Sequence, residues 1–496
     1  MSAGNWFKDK TWSISGNKEN TLEQLQQDVK QNDAVIYYPE STKEIAELLA
    51  SNQKSAVAVV CGGHSSSNVA TWAYHSVSEG ASEGNDDSTI ILDMKKMSSV
   101  TVDKESMEVT VGGGTTLGEL AKVCSDAGGA LPIGTGDTVG VCGYTLNGGL
   151  SGYFGKRLGM LGQRVVSLEI VIADGSVKNL TPTSSGDDGK LFHACLGAGS
   201  AMGVVTSLTF QMESESSFNT GGSIVVACGN KTCAAPFLKR ALHFMKNQVL
   251  STSSCSMEIV IVTDYTVIIN FMFYDTFTGD TKSFVQQVRD DAKAYNVKIL
   301  TDDVNSFKTW FEAASSLWGV IADLKGDPMV RVDHCIGTRS IPSDEALDFV
   351  IDTWVGEYLE TAPLSLVEIR SLGGPTKEGS MLPSGNVNAI FFADMIVSYD
   401  GSSVSSQNKS SIMEEVHRII VDAKNQGELM VDFSGTHSQS DDRPELLAKG
   451  DEIFGSQDNY ELIQQVKQTF DSTNRFRFHP FTHLLWLHEK AVTSNC

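Results

Sequence analysis

The stretch Val57-Ala-Val-Val-Cys-Gly-Gly-His64-Ser-Ser-Ser67 decides how this chain reads. Val57 to Val60 suit a buried strand, and the paired Gly62-Gly63 let the backbone that follows come close to a ligand. His64 stands at the mouth of that approach. A structural turn carrying a surface histidine is the plainer reading of the same letters, and the flanking sequence weighs against it. Upstream, Ser41-Thr-Lys-Glu44 has capping-box spacing, and Ile45, Leu48 and Leu49 form an apolar stripe on the helix behind it. The strand therefore belongs to an αβ unit that delivers a loop.

Downstream, a polar, insertion-like stretch from Val77 to Ser88 precedes Thr89-Ile-Ile-Leu-Asp-Met94, a buried strand by composition. Met107 to Gly112 alternates in strand fashion. Thr116-Leu-Gly-Glu119 opens a second capped helix with Leu117, Leu120, Ala121 and Cys124 inward, and Gly128 suits its C-terminal cap. From Leu131 to Gly149 glycines interrupt any helical or strand period. Such backbone suits wrapping around a ligand, and its amides can converge on a pyrophosphate. Spacing rejects the familiar phosphate loops. Gly134-x-Gly136-x-x-x-Gly140 is one residue too long for the dinucleotide fingerprint, and Gly155-Lys156-Arg157 lacks the upstream glycine and the Ser/Thr of a P-loop. Val165–Ala173 and Val177–Leu180 predict a hairpin turning at Asp174-Gly175, and Gly197–Gly203 predicts a glycine loop entering the strand Val204–Phe210.

Taken in order, Gly62-Gly-His-Ser65, Val139-Gly-Val-Cys-Gly143, Asn147-Gly-Gly149, Gly152, Arg157-Leu-Gly159, Ala173-Asp-Gly175, Leu191-Phe192 and Gly203-Val-Val-Thr206 resemble the flavin domain of berberine-bridge-enzyme-like oxidases. These belong to the vanillyl-alcohol-oxidase, or PCMH-type, FAD-binding group. The resemblance covers roughly residues 34–213. It implies FAD bound covalently through His64, with Cys61, Gly62, Gly63, Ser65, Val139, Gly140, Gly143, Asn147, Gly148, Gly149, Gly152 and Val205 lining the cofactor. Gly455–Tyr460 and Phe470–Phe476 are similar to the family's C-terminal return, from which Asn474 reaches the flavin. A second, cysteinyl attachment found in many members aligns with Gly136, which has no sulfur, so one protein–flavin bond is expected.

Beyond Ser214 longer amphipathic helices, around Ala234–Lys246, Ser343–Glu360 and Ser410–Asn425, alternate with strands, and Met257–Tyr274 reads as a strand hairpin. The expected fold is α+β. A two-part FAD-binding domain, residues 1–213 with 451–496 returning to it, accompanies a substrate domain, 214–450, whose antiparallel sheet is covered by helices. Leu366-Val-Glu368-Ile-Arg370 alternates, placing Glu368 and Arg370 on one strand face, either as an ion pair or as a grip on an acidic substrate group. Met430-Val-Asp432-Phe433 aligns with a Tyr-x-Asn-Tyr strand of the family but has lost both tyrosines. That loss argues against tyrosinate-assisted alcohol oxidation and makes buried Asp432 or Glu368 the candidate base. His479 and His483 are four apart, yet no glutamate accompanies them and Pro480 intrudes, so no metal site is expected.

The chain of 496 residues has room for two or three domains. Its net charge of −23 repels nucleic-acid phosphates and anionic membranes, which favours a small-molecule partner. No signal-peptide-like segment is visible in residues 1–20, no membrane-spanning run follows, and the compartment stays open. The nine cysteines lack a CxxC pair, although Cys228 and Cys233 are spaced for one local bridge. The expected activity is oxidation of a small organic molecule, of specialised metabolism rather than a sugar, by hydride transfer to flavin N5 with dioxygen as acceptor. The alternatives are a non-redox isomerase or cyclase and an idle flavin-binding protein.

Overall fold

A computed structural model describes residues 34–64, 89–152, 154–215, 218–262, 264–274, 280–316, 318, 329–356, 359, 365–372, 389–400, 406–431 and 449–478. Ser65, the polar stretch 77–88, Asp432, His479 and His483 lie outside them.

The first described strands form a parallel sheet in the order β1 (Ala34–Tyr37), β3 (Thr89–Asp93), β2 (Ala56–Val60). Helix α1 (Thr42–Ser51) makes the crossover between β1 and β2, burying Ile45 and Leu49 against Val57, Ile90 and Leu92. Ser41 caps α1 through the Glu44 amide, but the Glu44 carboxylate takes the N–H of Glu40 rather than that of Ser41, so the expected box is only half formed.

A five-stranded antiparallel sheet follows, ordered β4 (Val100–Asp103), β5 (Glu108–Gly112), β9 (Val204–Gln211), β7 (Val165–Val171), β8 (Val177–Leu180), and beside it β6 (Gly129–Ala130) pairs with β10 (Glu213–Ser214). The β7–β8 hairpin turns where predicted, with Gly175 at φ 89°. Helix α2 (Leu117–Asp126) carries the complete Thr116–Glu119 capping box, worth about 1 kcal/mol, and buries the four predicted residues. The glycine-rich segment is not irregular throughout: it contains α3 (Val141–Leu146), too short to show a period. Helix α4 (Gly155–Leu158) comes next, and then α5 (Gly186–Ala198), which takes in Gly197 and so shortens the expected glycine loop.

The second half builds an eight-stranded antiparallel sheet in the order β14 (Lys298–Phe307), β11 (Phe218–Ala227), β13 (Thr266–Tyr274), β12 (Cys255–Val262), β16 (Leu366–Ser371), β17 (Phe391–Asp400), β15 (Met329–Thr338), β18 (Met430–Val431). On one face Met257, Ile259, Val367, Ile369 and Ala393 share a core with the helices α6 (Lys231–Phe244), α7 (Thr281–Ala294) and α9 (Ser406–Asn425), and with Trp354 in the π-helical continuation of α8 (Asp344–Phe349). The other face meets the first half of the chain. Lys156 on α4, 1% exposed, crosses that junction and donates to the carbonyls of Leu250 (3.0 Å) and Leu372 (3.2 Å).

Residues 449–478 return to the beginning. Helix α10 (Gln457–Phe470) packs on α5, and fully buried Lys467 donates to Ala201 O, Asp471 Oδ2 and Phe476 O. Asp471 accepts the amides of Arg475 and Phe476. The Arg475 guanidinium bonds the carbonyls of Leu49, Asn52, Ser55 and Ala173, and Arg475 O accepts the N–H of Val57 at the start of β2.

Candidate functional site

Strand β2 ends at Val60 and passes straight into Cys61-Gly62-Gly63-His64. Residues 138–140 cross this loop at contact distance. A Cβ on Gly62 would lie 2.1 Å from Gly140 N and 2.6 Å from Thr138 O, while one on Gly140 would lie 2.5 Å from Cys61 Sγ. Only glycine at both positions allows the crossing. It brings the His64 Nε2 to 2.6 Å from the Thr138 hydroxyl. Cys61 Sγ donates to Thr115 O at 3.5 Å.

The other predicted cofactor residues lie on α3 and just after it, on β9 and in the C-terminal return. Gly143 would give an added side chain nothing to touch within 4 Å, so its backbone borders open space. Asn147 donates to Gly143 O at 2.8 Å, and Gly148 and Gly149 follow at φ 101° and 75°. Val205 is buried on β9. Asn474 sits in the left-handed region at φ 54°, one residue before the Arg475 anchor to β2. Among the described residues Asp137 Oδ1, Thr145 Oγ1, Asn147 Oδ1 and Asn474 Oδ1 are buried without a hydrogen-bond partner. Orphan acceptors of this kind cost free energy unless a donor meets them. A cofactor with ribityl hydroxyls and ring N–H groups supplies such donors, so these walls fit FAD.

Gly152 carries the cradle to the eight-stranded sheet. A Cβ there would lie 2.8 Å from Arg370 Cδ and 3.0 Å from Glu258 Oε1. Strand register explains the meeting. Ser223, Asn270, Glu258 and Arg370 stand side by side across β11, β13, β12 and β16, and Glu368 stands beside Asp394 of β17 in the next row. All six are on the face turned from the helices. Arg370 Nε donates to Glu258 Oε1 at 2.8 Å, Nη2 contacts the Glu368 carboxyl, and Nη1 lies 3.7 Å from Asp394. Burial opposes the Arg370 charge, but Glu258 and Asp394 outweigh it and hold the guanidinium above its usual value. Three carboxyl groups around one guanidinium leave this face short of positive charge. The strand-face ion pair expected of Glu368 and Arg370 thus forms within a larger cluster. Tyr144 stands nearby, donating to Leu150 O at 2.5 Å. Burial drives its phenol well above the usual value, Arg370 pulling down and Glu258 up.

Residues 34–181 match the family model described as FAD binding domain. That stretch is an FAD-binding domain. It holds the β2–His64 loop, the glycine-rich segment and Gly152; Val205, Asn474 and the charged face lie outside it. An FAD-linked oxidoreductase of Dictyostelium discoideum is 27% identical over 197 residues, which are 39% of this chain and 39% of that protein. The match therefore spans well under half of that relative. Two solved structures are similar over nearly the whole length. BBE-like 1 of Physcomitrella patens has a TM-score of 0.69 at 16% identity, covering 91% of this chain and 92% of that one. Glucooligosaccharide oxidase from Acremonium strictum, described with a 6-S-cysteinyl, 8α-N1-histidyl FAD, has a TM-score of 0.67 at 18% identity and 89% coverage of both chains. The fold is that of the berberine-bridge-enzyme-like flavoproteins, PCMH-type FAD-binding domain included.

The structure brings Cys61, Gly62, Gly63, His64, Val139 and Gly140 together, and sets Glu368 and Arg370 against Gly152. Asp432 and Ser65 lie outside the described residues. Sequence reasoning missed Glu258, Asp394, Asn270 and Thr138. Glu258 and Asn270 are lone polar residues within long apolar strands, 0% and 1% exposed, and that was the available signal. Among the described residues no group of three or more His, Cys, Asp or Glu is placed to hold a metal ion, and no helix is long and apolar enough to cross a membrane.

Proposed function

We propose that this protein is an FAD-linked oxidase of a small organic molecule, with the cofactor joined to His64 by a single covalent bond and dioxygen as the final acceptor. FAD supplies the redox chemistry, accepting a hydride at N5. The protein holds the cofactor along Gly62–His64, Val139–Gly149 and Asn474, and offers a polar face for the substrate. The carrying observation is the contact of Gly152 with Arg370 and Glu258, which joins the cofactor cradle to the buried charged row. In this reading Arg370 and Glu368 orient the substrate, and Glu368 takes its proton. Asp432 is the other candidate base. The domain division in the same proposal gives FAD to residues 1–213 with 451–496, and the substrate to 214–450.

Anaerobic mixing with candidate substrates tests the activity. Loss of the flavin's visible absorbance, with peroxide appearing when air is admitted, is the expected result. Substrate turnover without bleaching would place the chain with non-redox isomerases instead. Attachment is read separately: denatured protein is expected to carry fluorescent flavin on a gel, and His64→Ala to lose that band. Acid precipitation that releases all the flavin from the unaltered protein would end the covalent assignment.

A further inference from the structure

We propose that Thr138 is the positioning residue of His64, its hydroxyl setting the tautomer and plane of the imidazole that bonds the cofactor. The proposal rests on the covalent reading of His64 given above. Its geometric base is the 2.6 Å contact between Thr138 Oγ1 and His64 Nε2, made between residues 74 apart in sequence. The contact is held from behind. Leu117 N donates to Val139 O and Gly118 N to Asp137 O, both at 2.8 Å, so the first amides of capped α2 fasten the backbone on either side of Thr138. Val141 N donates to Thr115 O at 2.9 Å, and the Gly62–Gly140 crossing fixes the same segment against the histidine loop. A β-branched side chain on such a backbone has few rotamers, which sets the direction of its hydroxyl.

The chemistry of attachment asks for a hydroxyl at this place. As the bond forms at Nδ1, that nitrogen gives its electron pair to the 8α-carbon. One hydrogen leaves that carbon and the Nε2 proton leaves the ring, and the two electrons released with them reduce dioxygen to hydrogen peroxide. Before the step Nε2–H is a donor; after it Nε2 carries no proton and is an acceptor. A threonine hydroxyl can accept the first hydrogen bond and donate the second by turning about its Cβ–Oγ bond, whereas a carbonyl or an ammonium can do only one. Bonding at Nε2 would instead break the Thr138 contact.

Flavin-free full-length protein is given FAD in air, and three quantities are followed for the unaltered chain, Thr138→Val and Thr138→Ser. These are total FAD bound, covalent flavin on a denaturing gel against time, and the linked ring nitrogen, identified by NMR on the flavin-carrying peptide. Thr138→Val, which keeps the shape and removes the hydroxyl, is expected to bind FAD normally but couple it about tenfold or more slowly, with the linkage no longer confined to one nitrogen. Thr138→Ser is expected to restore most of the rate and the single linkage. Coupling by Thr138→Val at the unaltered rate and nitrogen overturns the proposal. So does a Thr138→Val protein that binds no FAD, since a positioning role leaves binding intact. If the unaltered chain never couples FAD, the His64 reading itself has failed and takes this proposal with it.

Discussion

Two arginines, Arg475 and Arg370, divide the labour of this molecule. Arg475 is satisfied by backbone carbonyls at the end of α1 and beyond β7, with Lys467 and Asp471 closing the same knot. Arg370 is surrounded by side chains, with carboxyl groups arriving from β12, β16 and β17. Backbone carbonyls are not removed by changing a side chain, so the first arrangement acts as a lock between the C-terminal return and the α1–β2 unit. Carboxyl groups on adjacent strands can be altered singly. The second arrangement is the one that meets the glycine-rich segment, at Gly152.

The sharpest way to break the contrast is to remove each guanidinium. Arg475→Met takes the donor from three buried carbonyls, those of Leu49, Ser55 and Ala173, and a loss of about 3–5 kcal/mol of stability is expected by thermal and denaturant unfolding. A melting temperature within a degree or two of the unaltered protein's would remove the lock. Arg370→Lys keeps a cation among the three carboxyl groups and removes the planar fork, and it is expected to leave a folded, FAD-binding protein with turnover reduced by about two orders of magnitude. Unfolding as severe as that of Arg475→Met would instead make both arginines structural.

Glu368→Gln keeps the shape of the face and removes a proton acceptor. Turnover is expected to fall about a hundredfold, with flavin content unchanged. Near-normal turnover would take Glu368 out of the chemistry and leave Arg370 as a strand clamp.

Lys156 lies between the two cases: an ammonium satisfied by carbonyls, like Arg475, but at the junction that Arg370 faces. Burial lowers its value from 10.5 to about 8, with Cys255 opposing the shift. Below pH 8 both folded and unfolded chains hold the proton, and the full cost of burying the charge is present. Between pH 8 and 10.5 the unfolded chain holds more protons, so this residue makes stability rise with pH, by about 3 kcal/mol in all. The difference in unfolding free energy between the unaltered protein and Lys156→Met, followed across that window, should carry this rise. A pH-independent difference would assign Lys156 an ordinary value. The smallest expected effect is that of Thr116→Ala, about 1 kcal/mol, from the cap on the helix that fastens residues 137–139.

Much of the first half was legible in advance because its determinants are neighbours in sequence. The β7–β8 turn and the α2 cap follow from residues within four positions of each other, as does the strand running into Gly62-Gly63. Helix α3 was hidden because six residues are too few to show a period. At the charged face the alternation of β16 put Glu368 and Arg370 together, but nothing local marked Glu258 or Asp394 as their company.

By itself the sequence determined the αβ entry to His64, the glycines that allow close approach, the shared strand face of Glu368 and Arg370 and the absence of a sulfur at Gly136. Periodicity, capping and backbone freedom are properties of short stretches, so they can be read along the chain. The tertiary structure alone decided which groups meet: Thr138 with His64 across 74 residues, Arg370 with Glu258 across 112, and Arg475 with Leu49 across 426. Such pairings depend on strand order, register and the return of the last helix. Those are settled by packing whole layers together, and no local pattern encodes them.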